Sequence, residues 1–374
     1  MSEEDAPREP APEQPPEPAP DPPPEPGPQP IVTIPAVRPV VGAALDAVVG
    51  ASRELRGASF YVGALTLGLI GPYVLLLWAF EVATTGRTQR ELVDLLIQTV
   101  FAAWLALATI LASLGFLLAL IEGRNIASVL VGARLTGQTV SLREAVQRSR
   151  DIFWRTVVAT FLVNVPLYVV QLFAIERIAP AFGTDTEITV VSAIIVVAIL
   201  FAPLTYAIVG ITLGEVSAWR SLGRSVRLFR TRPMLGLAVA LIVAAAHFLI
   251  LSGLGAGIQL VFSAADVVGI GSGSDALGLA VATAILGGLA FAFGTLLFTV
   301  ASLTVAVQAA AFIALTHVAP ALDRIRRART PIVADPTWPY TPRRPRFRWL
   351  TRPLLVFVIG GMLALAAGVA VLAG

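Results

Sequence analysis

The chain contains no cysteine among its 374 residues, and this absence excludes several kinds of chemistry. Disulfide bonds, thiolate metal sites, iron–sulfur clusters and cysteine nucleophiles all require cysteine sulfur. Histidine is nearly as scarce, with only His247 and His317. Few side chains are therefore available for metal or proton chemistry, and the sequence predicts a protein with no cofactor, no metal site and no catalytic residues.

Charge is also scarce, since charged residues make up 14% of the chain and hydrophobic residues 56%. An average soluble domain has roughly 25% charged residues. Uncharged windows of about 20 residues, the length that crosses a bilayer as a helix, recur along the chain. All 27 basic residues are arginine, which is typical of a GC-rich bacterial genome. We predict an all-α, polytopic transmembrane helix bundle in a bacterial cytoplasmic membrane.

The N-terminal segment differs from the rest in composition. Residues 1–30 contain thirteen prolines, eight acidic residues and one arginine. With hardly any large apolar side chain, this segment cannot offset the entropy of ordering. This composition predicts a disordered, acidic, proline-rich tail over residues 1–39. The tail would act either as a solvated spacer or as a PxxP docking segment.

Hydropathy predicts seven spans, and arginine counts predict their orientation. A membrane domain over residues 40–330 holds six of them, a basic cytoplasmic linker follows at 331–352, and the segment 353–374 holds the last. Arginine-rich loops at 122–155, 214–233 and 320–352 belong inside, so the N-terminus is cytoplasmic and the C-terminus outside. The predicted spans are 58–80, 95–121, 153–174, 188–213, 234–262, 277–319 and 353–373.

The span at 277–319 is unusually long. Its 43 residues carry no charge and would extend about 64 Å as one helix. It is either a single tilted helix or two spans joined by a turn near Gly294 or Ser302. The arginine-rich segment after it favours a single crossing.

Two cytoplasmic segments, 140–163 and 216–239, repeat a pattern at an offset of 76 residues. The repeat predicts two amphipathic interfacial helices, each followed by a span, and the pair Ser141 and Glu144 predicts a capping box at the start of the first. Arginines 148 and 224 are assigned to the polar faces. The predicted contacts with anionic lipid headgroups, a partner protein or a second copy of the chain are the matching residues Arg148, Ser149, Phe153, Arg224, Ser225 and Phe229.

The pattern over residues 141–155 resembles the signature of a bacterial family related to the membrane domain of glycerophosphoryl diester phosphodiesterases. The second copy departs from it, with Arg220 in the place of Glu144 and Arg230 in the place of Trp154. The resemblance implies a membrane module. Since the phosphodiesterase domain is missing from this chain, no catalytic activity is implied.

Two functions follow as hypotheses. The first is a non-enzymatic membrane module that engages lipids or a partner, with no nucleic acid involved. The second is a lipid or small-solute transporter with a cavity near Asn164, Pro166 and His247. Pro166 and Pro203 are placed to kink the third and fourth spans. A proton-coupled pump is disfavoured, because the predicted spans hold no buried Asp, Glu or Arg.

Overall fold

A computed structural model describes residues 37–84, 99–173, 186–214, 217–272, 276–316 and 355–363. Within these ranges the protein is all-helical and contains no strand. Residues 1–36 of the predicted tail at 1–39, the linker at 331–352 and most of the last predicted span lie outside them, and residues 37–39 belong to the first helix. The helices are α1 (Val37–Gly50), α2 (Ser52–Thr84), α3 (Thr99–Leu135), α4 (Leu142–Phe173), α5 (Thr186–Phe201), α6 (Ala207–Gly214), α7 (Ala218–Thr231), α8 (Pro233–Ser272), α9 (Ala276–Thr316) and a helical stretch, α10, at 355–363.

Helix α3 continues well past the predicted end of its span. The prediction that a cytoplasmic loop begins at residue 122 is wrong, because residues 121–133 are helical and buried. The helix ends at Leu135. Two residues later Gly137 adopts a left-handed conformation with φ 76°. Gln138 N–H donates to the carbonyl of Ala133 at 2.8 Å and Gly137 N–H to that of Arg134 at 3.2 Å, the two bonds of a Schellman motif.

Helix α4 joins the first repeat copy and the span that follows it into one helix. Its start confirms the predicted capping box: Ser141 N–H donates to Glu144 Oε2 at 2.8 Å, and Glu144 N–H donates to Ser141 Oγ at 3.4 Å. Pro166 lies inside the helix, which continues to Phe173. In the second copy the helix is divided at Arg232, and α8 begins at Pro233, whose missing N–H costs nothing in a first turn.

The fourth predicted span is broken near Pro203, as its proline suggested. Proline removes a helical N–H and clashes with the preceding turn. Helix α5 therefore ends at Phe201, a 3₁₀ turn covers Ala202–Leu204, and α6 begins at Ala207. Main-chain groups between the two helices need partners from elsewhere in the bundle.

Helix α9 is a single helix from Ala276 to Thr316, so no turn interrupts it at Gly294 or Ser302. Gly294 lies where α9 crosses α2. A Cβ atom on Gly294 would lie 2.8 Å from Thr66 Oγ1 and 3.2 Å from the Cα of Gly63. Two glycines thus allow these helices to approach closely.

The main hydrophobic core lies where α9 is surrounded by α1, α2, α3, α6 and α8. Fully buried members include Ile126, Leu213, Leu228 and Phe312. Elsewhere the helices expose large apolar side chains, among them Ile110, Phe161, Ile199 and Leu249. An apolar outer surface of this kind is typical of lipid-facing helices.

Four of the described helical segments are long and apolar enough to cross a membrane: Ala106–Leu135, Val191–Gly214, Pro233–Gly257 and Gly287–Thr316. The second of these includes the break between α5 and α6. These four segments support the prediction that the chain is a membrane protein. The total of seven spans and the orientation of the termini stay predictions.

Candidate functional site

The two repeated arginines point into the protein. Arg148 is 2% exposed and Arg224 is 8% exposed, so their assignment to the polar faces of the repeat helices is wrong. Arg148 donates from Nε and Nη2 to the carbonyl oxygen of Thr212, at 3.3 and 3.2 Å. That carbonyl belongs to the last turn of α6, where helix carbonyls lack main-chain partners and attract cations.

Arg224 occupies the equivalent position in the second copy but contacts a different group. Its guanidinium lies over the ring of Phe312 on α9, 5.3 Å from the ring centroid. This is a cation–π contact within the bundle. Both repeated arginines therefore connect helices inside the protein.

The two repeated serines bond to main-chain groups of the segment that precedes their own helix. Ser225 Oγ donates to the carbonyl of Pro203 at 2.8 Å and accepts from Tyr206 N–H at 3.1 Å. One side chain thus satisfies both sides of the break between α5 and α6. Ser149 Oγ donates to the carbonyl of Glu122 at 3.4 Å. Ser221 also supports the break, donating to the carbonyl of Ala207.

The two repeated phenylalanines are partly buried. Phe153 packs edge-on against Trp154, with ring centroids 5.5 Å apart. Phe229 packs at the junction of α7 and α8, so close to Gly236 that a Cβ atom there would lie 2.6 Å from its ring. Phe229 therefore helps to fix the angle between these two helices.

A buried charged cluster lies between α2, α3 and α4, and no local sequence pattern predicted it. Glu122 is 1% exposed and pairs with Arg150, with Oε1 and Nε 3.5 Å apart. Tyr61 donates its hydroxyl proton to Glu122 Oε1 at 2.8 Å and accepts from Arg150 Nη2 at 3.0 Å. Tyr61 therefore bridges Glu122 and Arg150.

A second buried cluster joins α3, α8 and α9 to the helix break. Arg124 is 7% exposed, and its Nη1 and Nη2 lie 3.5 Å from His247 Nε2 and from Gln308 Oε1. Gln308 Nε2 in turn donates to the carbonyl of Thr205 at 2.9 Å. Arg124, His247 and Gln308 therefore meet beside the discontinuous helix, a combination that no local sequence pattern predicted.

The predicted cavity residues occupy different surroundings. Asn164 and Pro166 lie on an exposed face of α4, whereas His247 lies beside Arg124 with its Nδ1 2.8 Å from the carbonyl of Val243. No described hydrogen bond joins Asn164 to His247. A cavity shared by all three stays a prediction.

Helix α7 has one buried face and one exposed face. Trp219 is 70% exposed, and the exposed face also presents Arg220, Arg227 and Arg230. The helix contains four arginines and no acidic residue. The opposite face packs into the bundle through Ala218, Ser221, Arg224, Ser225 and Leu228.

Among the described residues no group of three or more His, Asp or Glu side chains is arranged to hold a metal ion. The described clusters present arginine, tyrosine, histidine and glutamine side chains, which can bind charged or polar groups. No protein-family model, no curated protein and no solved structure matches this chain.

Proposed function

We propose that this protein is a non-enzymatic integral membrane module that engages anionic lipid headgroups through the exposed face of α7. One observation carries the proposal: three arginines and Trp219 share the exposed face of a helix that leads directly into the apolar helix α8. Arginine binds phosphate groups, and tryptophan prefers the boundary between water and hydrocarbon. In this proposal α7 is an amphipathic interfacial helix.

The N-terminal half of α4 contributes a similar surface. Trp154 is exposed, and so are Arg143 and Arg155. Under the predicted topology both surfaces lie on the cytoplasmic side, where anionic lipids attract basic residues. The resemblance of residues 141–155 to a membrane domain fits such a module. Because Arg148 and Arg224 are buried, the headgroup contacts move to the arginines beside them.

The test replaces the three exposed arginines of α7 together, as Arg220→Gln, Arg227→Gln and Arg230→Gln. Each arginine near an anionic surface contributes about 1 kcal/mol, so we expect the preference for phosphatidylglycerol over phosphatidylcholine to fall by about a hundredfold. Native mass spectrometry of the full-length protein in detergent, with both lipids added in equal amounts, measures the number of each that is retained.

A matched variant removes the same charge from another exposed surface, as Arg53→Gln, Arg56→Gln and Arg134→Gln. This variant should keep the preference for phosphatidylglycerol. An equal loss in both triple variants would show a nonspecific effect of net charge and contradict the assignment to α7. No loss in either would contradict headgroup engagement by these arginines.

A second candidate function, transport of a lipid or small solute, is favoured by the break between α5 and α6. In many transporters discontinuous helices near the bilayer midplane form the substrate site. Here the break lies inside the apolar segment Val191–Gly214, and Thr205 of the break is linked through Gln308 to Arg124.

Because the chain has no native cysteine, Thr205→Cys gives a single labelling site at the break. Alternating access predicts that a membrane-impermeant maleimide labels it from both sides in proteoliposomes. Leu241→Cys, at an exposed apolar position of α8, should stay unlabelled and serves as the control. Labelling from one side only, or none, would argue against transport through this break.

A further inference from the structure

Arg124 is a buried cation without a described counter-charge. The residue is 7% exposed, and within the described part of the chain it forms no ion pair. Nε is buried with no hydrogen-bond partner among the described residues, and the two Nη contacts are long, at 3.5 Å. The neighbouring carboxylate on α3, that of Glu122, is already paired with Arg150.

Both groups that face Arg124 act as neutral acceptors. The carbonyl of Val243 can only accept, so His247 Nδ1 must be the donor in the 2.8 Å contact between them. In a neutral imidazole this leaves Nε2 as an acceptor that faces Arg124. Gln308 uses its amide N–H on Thr205 and turns its oxygen towards Arg124. Neither neighbour neutralises the positive charge.

A guanidinium held inside an apolar bundle is costly unless an anion accompanies it. We infer that Arg124, with His247 and Gln308 beside it, forms a binding site for a phosphate group within the helix bundle. The guanidinium matches phosphate because its N–H groups form a planar fork that reaches two oxygens at once. Nε–H is the donor still available for such a contact.

The helix break that Gln308 contacts through the carbonyl of Thr205 also contains a buried hydroxyl group. Tyr206 directly follows Thr205 in the helix break, and its hydroxyl is buried with no partner among the described residues. Arg124 lies ten residues before Arg134 on α3, or about 15 Å along the helix axis. A phosphate group can arrive from two sources, as free phosphate or as the headgroup of a phospholipid that enters between helices.

This inference goes beyond headgroup engagement by α7, since it concerns different residues, and it does not require that the ligand be moved across the membrane. The test measures thermal unfolding of the full-length protein in a non-ionic detergent, with inorganic phosphate or phosphatidylglycerol added in separate titrations. We expect at least one of them to raise the unfolding temperature of the wild-type protein.

Arg124→Met removes the charge and approximately keeps the side-chain length. Losing a charge-assisted contact should weaken the response about tenfold or more, while the ligand-free protein keeps its stability or gains some. Arg134→Met, at an exposed position of the same helix, should respond like the wild type. If the methionine variant does not fold, Arg124→Lys keeps the charge without the planar fork and should still show a weakened response.

Loss of the phosphate response in the Arg124 variant would identify a free anion as the ligand. Loss of only the phosphatidylglycerol response would identify a lipid headgroup. The proposal is overturned if the Arg124 variants respond to both additions as the wild type does, or if the wild type responds to neither. The α7 triple variant keeps Arg124 and should retain this response, so failure of one proposal is distinguishable from failure of the other.

Discussion

Replacing Ser225 with alanine will strongly destabilise the protein, because this one hydroxyl satisfies two main-chain groups at the break between α5 and α6. It donates to the carbonyl of Pro203 and accepts from Tyr206 N–H. The contact with Tyr206 N–H is buried and the contact with the Pro203 carbonyl is partly buried, in an apolar bundle where little water is available to replace the lost partner. An unsatisfied buried group costs about 1–3 kcal/mol, so we expect a loss of about 2–5 kcal/mol in the free energy of unfolding.

The internal repeat supplies the control for this experiment. Ser149, the counterpart of Ser225, donates one long bond to the carbonyl of Glu122, which lies inside the continuous helix α3 and already accepts a main-chain bond there. Ser149→Ala should therefore cost no more than about 1 kcal/mol. Chemical unfolding of both variants in mixed micelles gives the comparison. Equal losses would mean that Ser225 does not support the break.

Local patterns predicted a good part of this fold. The capping box at Ser141 and Glu144, the break at Pro203 and the single long helix α9 all follow from signals within a few residues or from one uninterrupted apolar run. Such signals report main-chain geometry, which nearby residues largely determine. For the same reason the two repeat copies were found by their spacing alone.

The end of α3 was not predictable in this way. Glu122 and Arg124 follow an apolar run, and charge in that position usually marks the start of a loop. Here Glu122 is neutralised by Arg150 and bonded to Tyr61, a residue 61 positions away in sequence. Only contacts between distant segments allow the helix to keep these charges inside the bundle.

The prediction that the repeated arginines lie on polar faces was wrong for a related reason. Helical periodicity divides a helix into an apolar and a polar face, and it assigns every arginine to the polar one. Arg148 instead binds the end of α6, and Arg224 packs on Phe312. The groups that stabilise these buried arginines lie on other helices. Gln308 and Thr205, which carry no local motif, were missed because their role exists only in the assembled bundle.

Replacing Glu122 with alanine should produce another of the largest losses of stability in this protein. The change removes the carboxylate that pairs with Arg150 at 3.5 Å and accepts from Tyr61 at 2.8 Å. Removing one partner of a buried ion pair costs about 3–5 kcal/mol. The side chain of Arg150 is 12% exposed, so partial solvation should keep the loss near the lower end of that range. Chemical unfolding in mixed micelles measures it.

A double-mutant cycle separates the ion pair from general disruption of packing. If the pair itself matters, Glu122→Gln combined with Arg150→Gln should be less destabilising than the sum of the two single changes, with a coupling energy of about 1–3 kcal/mol. Glu144→Ala, which removes the capping box on the surface, should cost about 1 kcal/mol and calibrates the scale. Strictly additive losses at positions 122 and 150 would show that the two charges are not coupled. Coupling would instead show that α3 carries charge into the bundle because α2 and α4 compensate it. Arg124, two residues further along α3 than Glu122, lacks such compensation among the described residues.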